Sequence, residues 1–297
     1  MDKDNILLVG SASFLASSFL NFPKYSFSKT FYKKEIDSGY YFDASCMNIS
    51  TVISKIKTKP DAAIILYGIT SIDKCADDEK FSRLINVTSI IKIINYLFDK
   101  DILPVFISSD AVFDGLSSMY EESADCNPIV TYGKQKREVE LFLESQGKPY
   151  LNIRLPKLLS SKPDNRCIIT GWLNYIIQQK HILCSVDQYF TPIDINDAAI
   201  SILKLIEKGS SGTFHVAGSL RLSRKDLLFK LTKEFGKYSK INIQHSDCFL
   251  NDLPLTEKRP LDTSLNISKF QKEVTLNIKT IDEIINEVCW EFFEKRK

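Results

Sequence analysis

Short runs of apolar, β-branched and aromatic residues recur along the first half of this chain, each followed by a turn and then by apolar positions at helical spacing. The runs are Ile6–Val9, Tyr25–Lys34, Pro60–Thr70 with its exit turn, Val105–Ser108 and Leu151–Leu155. Continuous apolar runs of this length read as strands buried on both faces. Helical spacing follows the first run through Leu20, then recurs over Ile49–Ile56 and Phe81–Phe98. Alternation of this kind predicts a doubly wound parallel sheet with helices on both faces. The pattern loosens after Ile153. A sheet domain over residues 1–155 is therefore expected, with a smaller α/β lobe drawn mainly from 156–297 and some of its segments returning to the sheet. Ser160–Arg166 reads as a loop, and there is no internal repeat or low-complexity tract.

Chemistry concentrates after the fourth run, which ends on Ser108, Ser109 and Asp110. In open parallel sheets ligands sit beyond the carboxyl ends of the strands, so a hydroxyl there is placed to act. Tyr132 and Lys136 follow at i, i+4 spacing, which puts phenol and ammonium on one helix face. Tyr-x-x-x-Lys occurs three times, the others being Tyr25 with Lys29 and Tyr96 with Lys100. Only the last follows a Ser-Ser-Asp strand end, an Asp114-Gly115 turn and Pro128. An ammonium near a phenol favours phenolate, which suits the tyrosine to proton transfer. At the other end of the chain, Ile6–Val9 leads through Gly10 into Ser13, Phe14 and Leu15. Strand, tight turn and helix in that order form the first unit of a dinucleotide site, where backbone N–H groups receive a pyrophosphate.

Composition narrows the partners. Over 297 residues the formal charge is +2 with both signs interspersed, which excludes a nucleic-acid footprint and leaves a small molecule. No apolar run reaches the roughly 20 residues of a membrane span, and the N-terminal run is too short for a signal peptide core. Seven cysteines without a Cys-x-x-Cys pair fit reduced thiols in a cytoplasm better than a disulfide framework or a zinc site, and no metal is expected.

Ser108-Ser109-Asp110-Ala111-Val112-Phe113-Asp114-Gly115, followed by Tyr132-Gly133-Lys134-Gln135-Lys136, resembles the extended short-chain dehydrogenase/reductase superfamily, and within it the dTDP-4-dehydrorhamnose reductase branch. That branch writes Ser-Thr-Asp-Tyr-Val-Phe-Asp-Gly and Tyr-Gly-x-x-Lys. Further matches run through Phe42–Ser45, Pro60–Thr70, Ile72–Cys75, Asn86, Phe190–Ala199, Gly212–Gly218 and Lys258–Leu265, nearly the whole chain. The resemblance implies a Rossmann fold, NADP or NAD as cofactor and reduction of a 4-keto-6-deoxy sugar nucleotide. It assigns Tyr132 as the acid, Lys136 to the tyrosine and the nicotinamide ribose, and Ser109 to the carbonyl. It also implies cofactor contacts from Gly10, Ser13, Phe14, Leu15, Asp43, Tyr67, Gly68 and Thr70, and substrate contacts from Ser109, Asp110 and Arg259.

Several positions leave alternatives open. The family turn is Gly-x-x-Gly-x-x-Gly, whereas this chain carries Gly10, Ser13 and Ala16, and Tyr67 replaces a small residue in the cofactor groove. Lys33 and Lys34 either meet a 2′-phosphate, favouring NADP, or lie in a solvated loop. Asp43 lies near the adenine or caps the Ile49–Ile56 helix. His215 reads as structural. Ala111 after Asp110 removes the second acid that dehydratases of the superfamily use. A sugar-nucleotide epimerase remains, as does a regulatory subunit like the β subunit of methionine adenosyltransferase. The oligomer is open, a homodimer included.

Overall fold

The computed structural model describes residues 5–160, 162 and 167–294; apart from Ser160 and Lys162, the expected 160–166 loop lies outside them. Seven parallel strands form the central sheet: β1 (Asn5–Val9), β2 (Ser26–Phe31), β3 (Gly39–Tyr41), β4 (Ala62–Ile65), β5 (Leu103–Ser109), β6 (Leu151–Leu155) and β7 (Gly212–His215). Their order is β7-β6-β5-β4-β1-β2-β3, so the winding reverses between β1 and β4. The doubly wound sheet read from the sequence is the one observed, with Ile6–Val9, Ala62–Ile65 and Leu103–Ser109 as neighbours.

Alternate residues of these strands feed two different cores. Ile6, Leu8, Ile64, Val105 and Ile153 pack with Phe19, Ile202 and Leu205 on one face. Leu7, Val9, Ala63, Ile65 and Phe106 pack with Ile90, Ile94, Leu97, Val139 and Leu143 on the other. Burying each large aliphatic side chain contributes about 1.5–3 kcal/mol, which fixes the register of strands that are apolar on both faces. A further core joins the Ile168–Ile177, Arg224–Phe235 and Ile281–Glu294 helices through Leu173, Leu227, Ile284 and Val288. The tail interleaves with the sheet, because β7 pairs with β6 and the Ile195–Glu207 helix packs into the first core.

The structure departs from the sequence reading at several elements. The second strand stops at Phe31, and Tyr32–Lys34 turn away as a bend. Only one helical turn, Ala16–Phe19, follows Gly10, and the helix expected over Ile49–Ile56 is reduced to Ser50–Ile53. Asp43 does not cap that helix: its carboxylate accepts the Ser45 N–H at 2.9 Å and hydroxyl at 2.6 Å, while Asn48 accepts the Ser50 N–H at 2.9 Å. A side chain seven residues upstream of a helix has a nearer donor to satisfy. The Phe81–Phe98 helix is interrupted by a π-helical turn, Leu84–Thr88, between Glu79–Arg83 and Ser89–Asp99.

A buried ion pair braces the carboxyl ends of β5, β6 and β7. Arg154 on β6 holds Glu140 with two bonds of 3.0 and 2.8 Å, and Ser108 donates to the same carboxylate at 2.5 Å. Arginine only donates, so His215 Nε2, 3.2 Å from Arg154 Nη1, is the acceptor, and its proton lies on Nδ1, 3.0 Å from the Tyr120 carbonyl. Burial and the neighbouring guanidinium bring His215 down to about 3, which makes it a neutral structural residue. Arg154→Met, which removes the two-bond partner of buried Glu140 and leaves it only Arg137 at 3.1 Å, is expected to lower stability by about 3 kcal/mol. Replacing both partners with apolar residues should recover much of that loss. Urea unfolding of the two variants checks the pair, and an equal loss in both would contradict it.

Candidate active site

A groove of about 1180 Å³ opens at the point where the winding reverses. It is lined in turn by Gly10–Leu15 after β1, Thr30–Lys34 after β2, Phe42–Ser45, Tyr67–Thr70 after β4, Ser108–Ala111 after β5, and Tyr132 and Lys136, with Lys157 and Arg224 beyond. Ligand sites at such reversals follow from the strand ends splaying apart on either side of the switch.

The turn after β1 depends on one glycine. Gly10 has φ +98°, and a Cβ there would stand 2.7 Å from the Tyr67 backbone nitrogen. Its N–H donates to Thr30 Oγ1 at 2.8 Å and Ser11 N–H to the Thr30 carbonyl at 2.9 Å, which ties the turn to β2. Ser13 Oγ accepts the Ala16 N–H at 3.3 Å, so its own proton can donate into the groove. Tyr67 does not close the groove: its hydroxyl lies 2.8 Å from Ser89 Oγ and its ring packs with the core under the sheet.

Tyr132, Lys136 and Ser109 meet at the floor. Gly133 lets the Thr131–Ser145 helix press against the end of β5, since a Cβ there would lie 2.0 Å from the Ala111 carbonyl oxygen. Ser109 Oγ accepts the Ala111 N–H at 3.1 Å and donates to Asp110 Oδ1 at 2.9 Å, while Thr263 donates to Asp110 Oδ2 at 2.7 Å. Burial pushes the Asp110 carboxyl up. Burial and then the Asp110 charge push the Tyr132 phenol above its ordinary value, and its hydrogen-bonding contact with Ser109 acts in the opposite sense. Lys136 donates to the Ile107 carbonyl at 2.8 Å and lies 5.6 Å from the Tyr132 ring centroid. Burial draws its ammonium down to about 8. The arrangement holds a protonated phenol beside a cation and a hydroxyl, a set that can hand a proton to a carbonyl oxygen. The other two tyrosines lie elsewhere: Tyr25 bonds Glu207 at 3.1 Å and Tyr96 packs near the sheet's other core, neither in the groove.

Beyond the floor the groove turns cationic. The charges of Arg224 and Arg259 bear on Lys157, with Asp110 opposing them. Arg224 Nε and Arg259 Nη1 are buried with no hydrogen-bond partner among the described residues. Buried guanidinium nitrogens without acceptors are costly, and an anion entering here would satisfy them. Arg259, expected to meet substrate, is not among the groove's lining residues; it pairs with Asp73 after β4, and its charge reaches the site through space. Sequence reasoning missed Lys157 and Arg224. Lys157 follows the end of β6, as Ser109 ends β5, and the same strand-end rule finds it. Arg224 begins the Arg224–Phe235 helix, and nothing in its local sequence marks it. Thr70 and Gly68 line the wall, and Asp43 lies at the far end with Lys33 and Lys34. Among the described residues no group of three His, Cys, Asp or Glu side chains could hold a metal ion, all seven cysteines are unpaired, and no helix is long and apolar enough to cross a membrane.

The fold and this floor define a doubly wound α/β protein of Rossmann type with a tyrosine–lysine pair at its switch point. The chain matches the RmlD substrate binding domain family over residues 23–293 and belongs to it. It is 25% identical to the probable low-salt glycan biosynthesis reductase Agl14 of Haloferax volcanii, over 75% of this chain and 75% of that one. It is 24% identical to dTDP-4-dehydrorhamnose reductase of Escherichia coli, over 73% and 75%, and 23% identical to methionine adenosyltransferase 2 subunit beta of Xenopus tropicalis, over 80% and 72%. A crystal structure described as a hypothetical dTDP-4-dehydrorhamnose reductase from Sulfolobus tokodaii superposes with a TM-score of 0.81 at 26% identity, covering 94% of this chain and 98% of that one. The enzyme of that name from Bacillus anthracis, solved with NADP, gives 0.82 at 20% identity, covering 100% of both.

The buried ammonium has a measurable signature. The unfolded chain keeps the Lys136 proton up to about 10.5 and the folded chain only up to about 8, so this group adds stability as pH rises between those values and none below about 8. Lys136→Met, free of the buried charge, is therefore expected to be more stable than wild type at pH 7, by about 1–3 kcal/mol. The gap should close toward pH 10.5. Urea titrations at both ends of that window decide it, and a constant gap would contradict the assignment.

Proposed function

We propose that the chain is an NADPH-dependent reductase that converts the keto group of a 4-keto-6-deoxy sugar nucleotide to a hydroxyl. The observation that carries this reading is the meeting of Ser109, Tyr132 and Lys136 between a dinucleotide-sized trough and a patch of unsatisfied buried cations. The trough suits the cofactor: Ser13 has a hydroxyl proton to give, and Lys136 spends one of three ammonium protons on Ile107. Lys33 and Lys34 at the adenine end suit a 2′-phosphate. NADPH, when bound, supplies the hydride. Tyr132 delivers its proton to the substrate oxygen, and the Lys136 charge stabilises the phenolate left behind. Ser109 holds that oxygen in line. Lys157 and Arg224 suit the diphosphate, leaving the sugar over the floor. Ala111 leaves Asp110 without a second acid, which favours plain reduction over dehydration. Residues 156–297, less β7 and its neighbours, serve as the substrate lobe.

Three experiments test the reading. Tyr132→Phe removes one hydroxyl and is expected to lower kcat by at least about a hundredfold with little change in Tm, whereas Tyr25→Phe and Tyr96→Phe keep full turnover. Because Lys136 acts while protonated, kcat/KM should be level below about pH 8 and fall above it; a profile flat well past that value would remove Lys136 from the chemistry. In calorimetric titrations with NADPH, wild type and Ser13→Gly should bind comparably, and Ser13→Asp should bind far more weakly because it sets a carboxylate against the phosphates. No heat from any of the three would end the oxidoreductase reading.

A further inference from the structure

Gln135 sits between Tyr132 and Lys136 in the chain but points away from the groove, into a sealed set of polar side chains. Ser82 is fully buried and donates its one proton to a backbone carbonyl, that of Cys75 at 2.9 Å or Glu79 at 3.1 Å. Its oxygen must therefore accept from Gln135 Nε2, 2.8 Å away. That fixes the Gln135 amide with Oε1 toward Asn86, whose Nδ2 donates to it at 2.8 Å. Asn86 is in turn fixed with Oδ1 toward the Ile69 N–H, at 2.8 Å, and Nδ2 toward the Ile69 carbonyl, at 2.9 Å. Each link determines the direction of the next, from a serine proton to a peptide plane in the groove wall. Gly68 accommodates this chain of bonds: it has φ +152°, and a Cβ there would lie 3.0 Å from Asn86 Oδ1. In a trans peptide the Gly68 carbonyl points opposite to the Ile69 N–H, hence away from Asn86.

Building on the reductase reading, we propose that Gln135 is a positioning residue for the cofactor: by orienting the Asn86 amide it holds the Gly68–Ile69 peptide in the direction that presents the groove wall to NADPH. Without Gln135 the Asn86 amide is held only by its two bonds to Ile69 and a 3.5 Å contact with Cys75 Sγ, and the peptide it clamps is oriented less firmly. The role lies in the acceptor that Gln135 offers Asn86, and not in filling space.

Two substitutions separate these roles. Gln135→Met keeps the volume and loses the acceptor; Gln135→Glu keeps the acceptor and buries an acid. Stability measured by urea unfolding should rank wild type, then Met, then Glu. Affinity for NADPH, read by nicotinamide fluorescence, should rank wild type, then Glu, then Met, with Gln135→Met weaker by about tenfold and the KM for sugar nucleotide little changed. The inversion between the two rankings supports the proposal, because a residue that merely filled the core would give the same order in both. Ser82→Ala, which frees the fixed end, should lose part of the affinity, and adding it to Gln135→Met should cost nothing more. Affinity that follows stability, or Gln135→Met binding within about twofold of wild type, overturns the proposal alone. Failure of wild type itself to bind NADPH overturns the reductase reading with it.

Discussion

Everything in the site depends on how closely one helix approaches one strand end. The Ala111 carbonyl lies where a Cβ on residue 133 would be, 2.0 Å away, so only glycine lets the Thr131–Ser145 helix settle against the turn after β5. That approach brings Tyr132 over Ser109 and drives the Lys136 ammonium under the Ile107 carbonyl, where burial draws it toward neutrality. The Glu140–Arg154 pair, one turn further along the same helix, fastens it to β6. Catalytic geometry and fold stability are thus enforced by the same contacts, as expected where a site is built on rigid elements.

Polar groups around the floor fall into two kinds. On the helix's inner side the charges and amides are closed on one another, as with Glu140, Arg154 and His215, or Ser82, Gln135 and Asn86. Toward the second half of the chain some are left open, as with the buried nitrogens of Arg224 and Arg259. A protein satisfies what it can internally; groups it leaves unsatisfied mark where something else belongs.

Much of this was legible in the sequence, for a reason that also sets the limit. The central strands are apolar on both faces and so announce themselves without reference to partners, and the ordered run from Ser109 through Gly115 to Tyr132 and Lys136 is local. The edge strand β3 is three residues long and half exposed, so it carries no periodic signal. The π-helical turn at Leu84–Thr88 is invisible to a 3.6-residue pattern, yet it is the turn that carries Asn86. Arg259 was read as a substrate contact from its motif, but its guanidinium pairs with Asp73, a partner nearly two hundred positions away in the chain. Asp43, read either as lying near the adenine or as capping a helix, bonds the neighbouring Ser45 instead of the helix and stays at the far end of the groove.

The interleaving of the tail with the sheet has a consequence for how the protein is made. Residues 5–155 contain six of the seven sheet strands, but the last, β7, follows more than fifty residues later and, among the described residues, is the strand that pairs with the outer edge of β6. Until β7 is in place, that edge of Leu151–Leu155 has no strand to pair with. Such an edge, apolar and without charges to repel a visitor except the arginine already bound to Glu140, is a template for another nascent chain. The strand that completes the sheet comes from the second half of the chain, so the first half cannot finish its sheet alone.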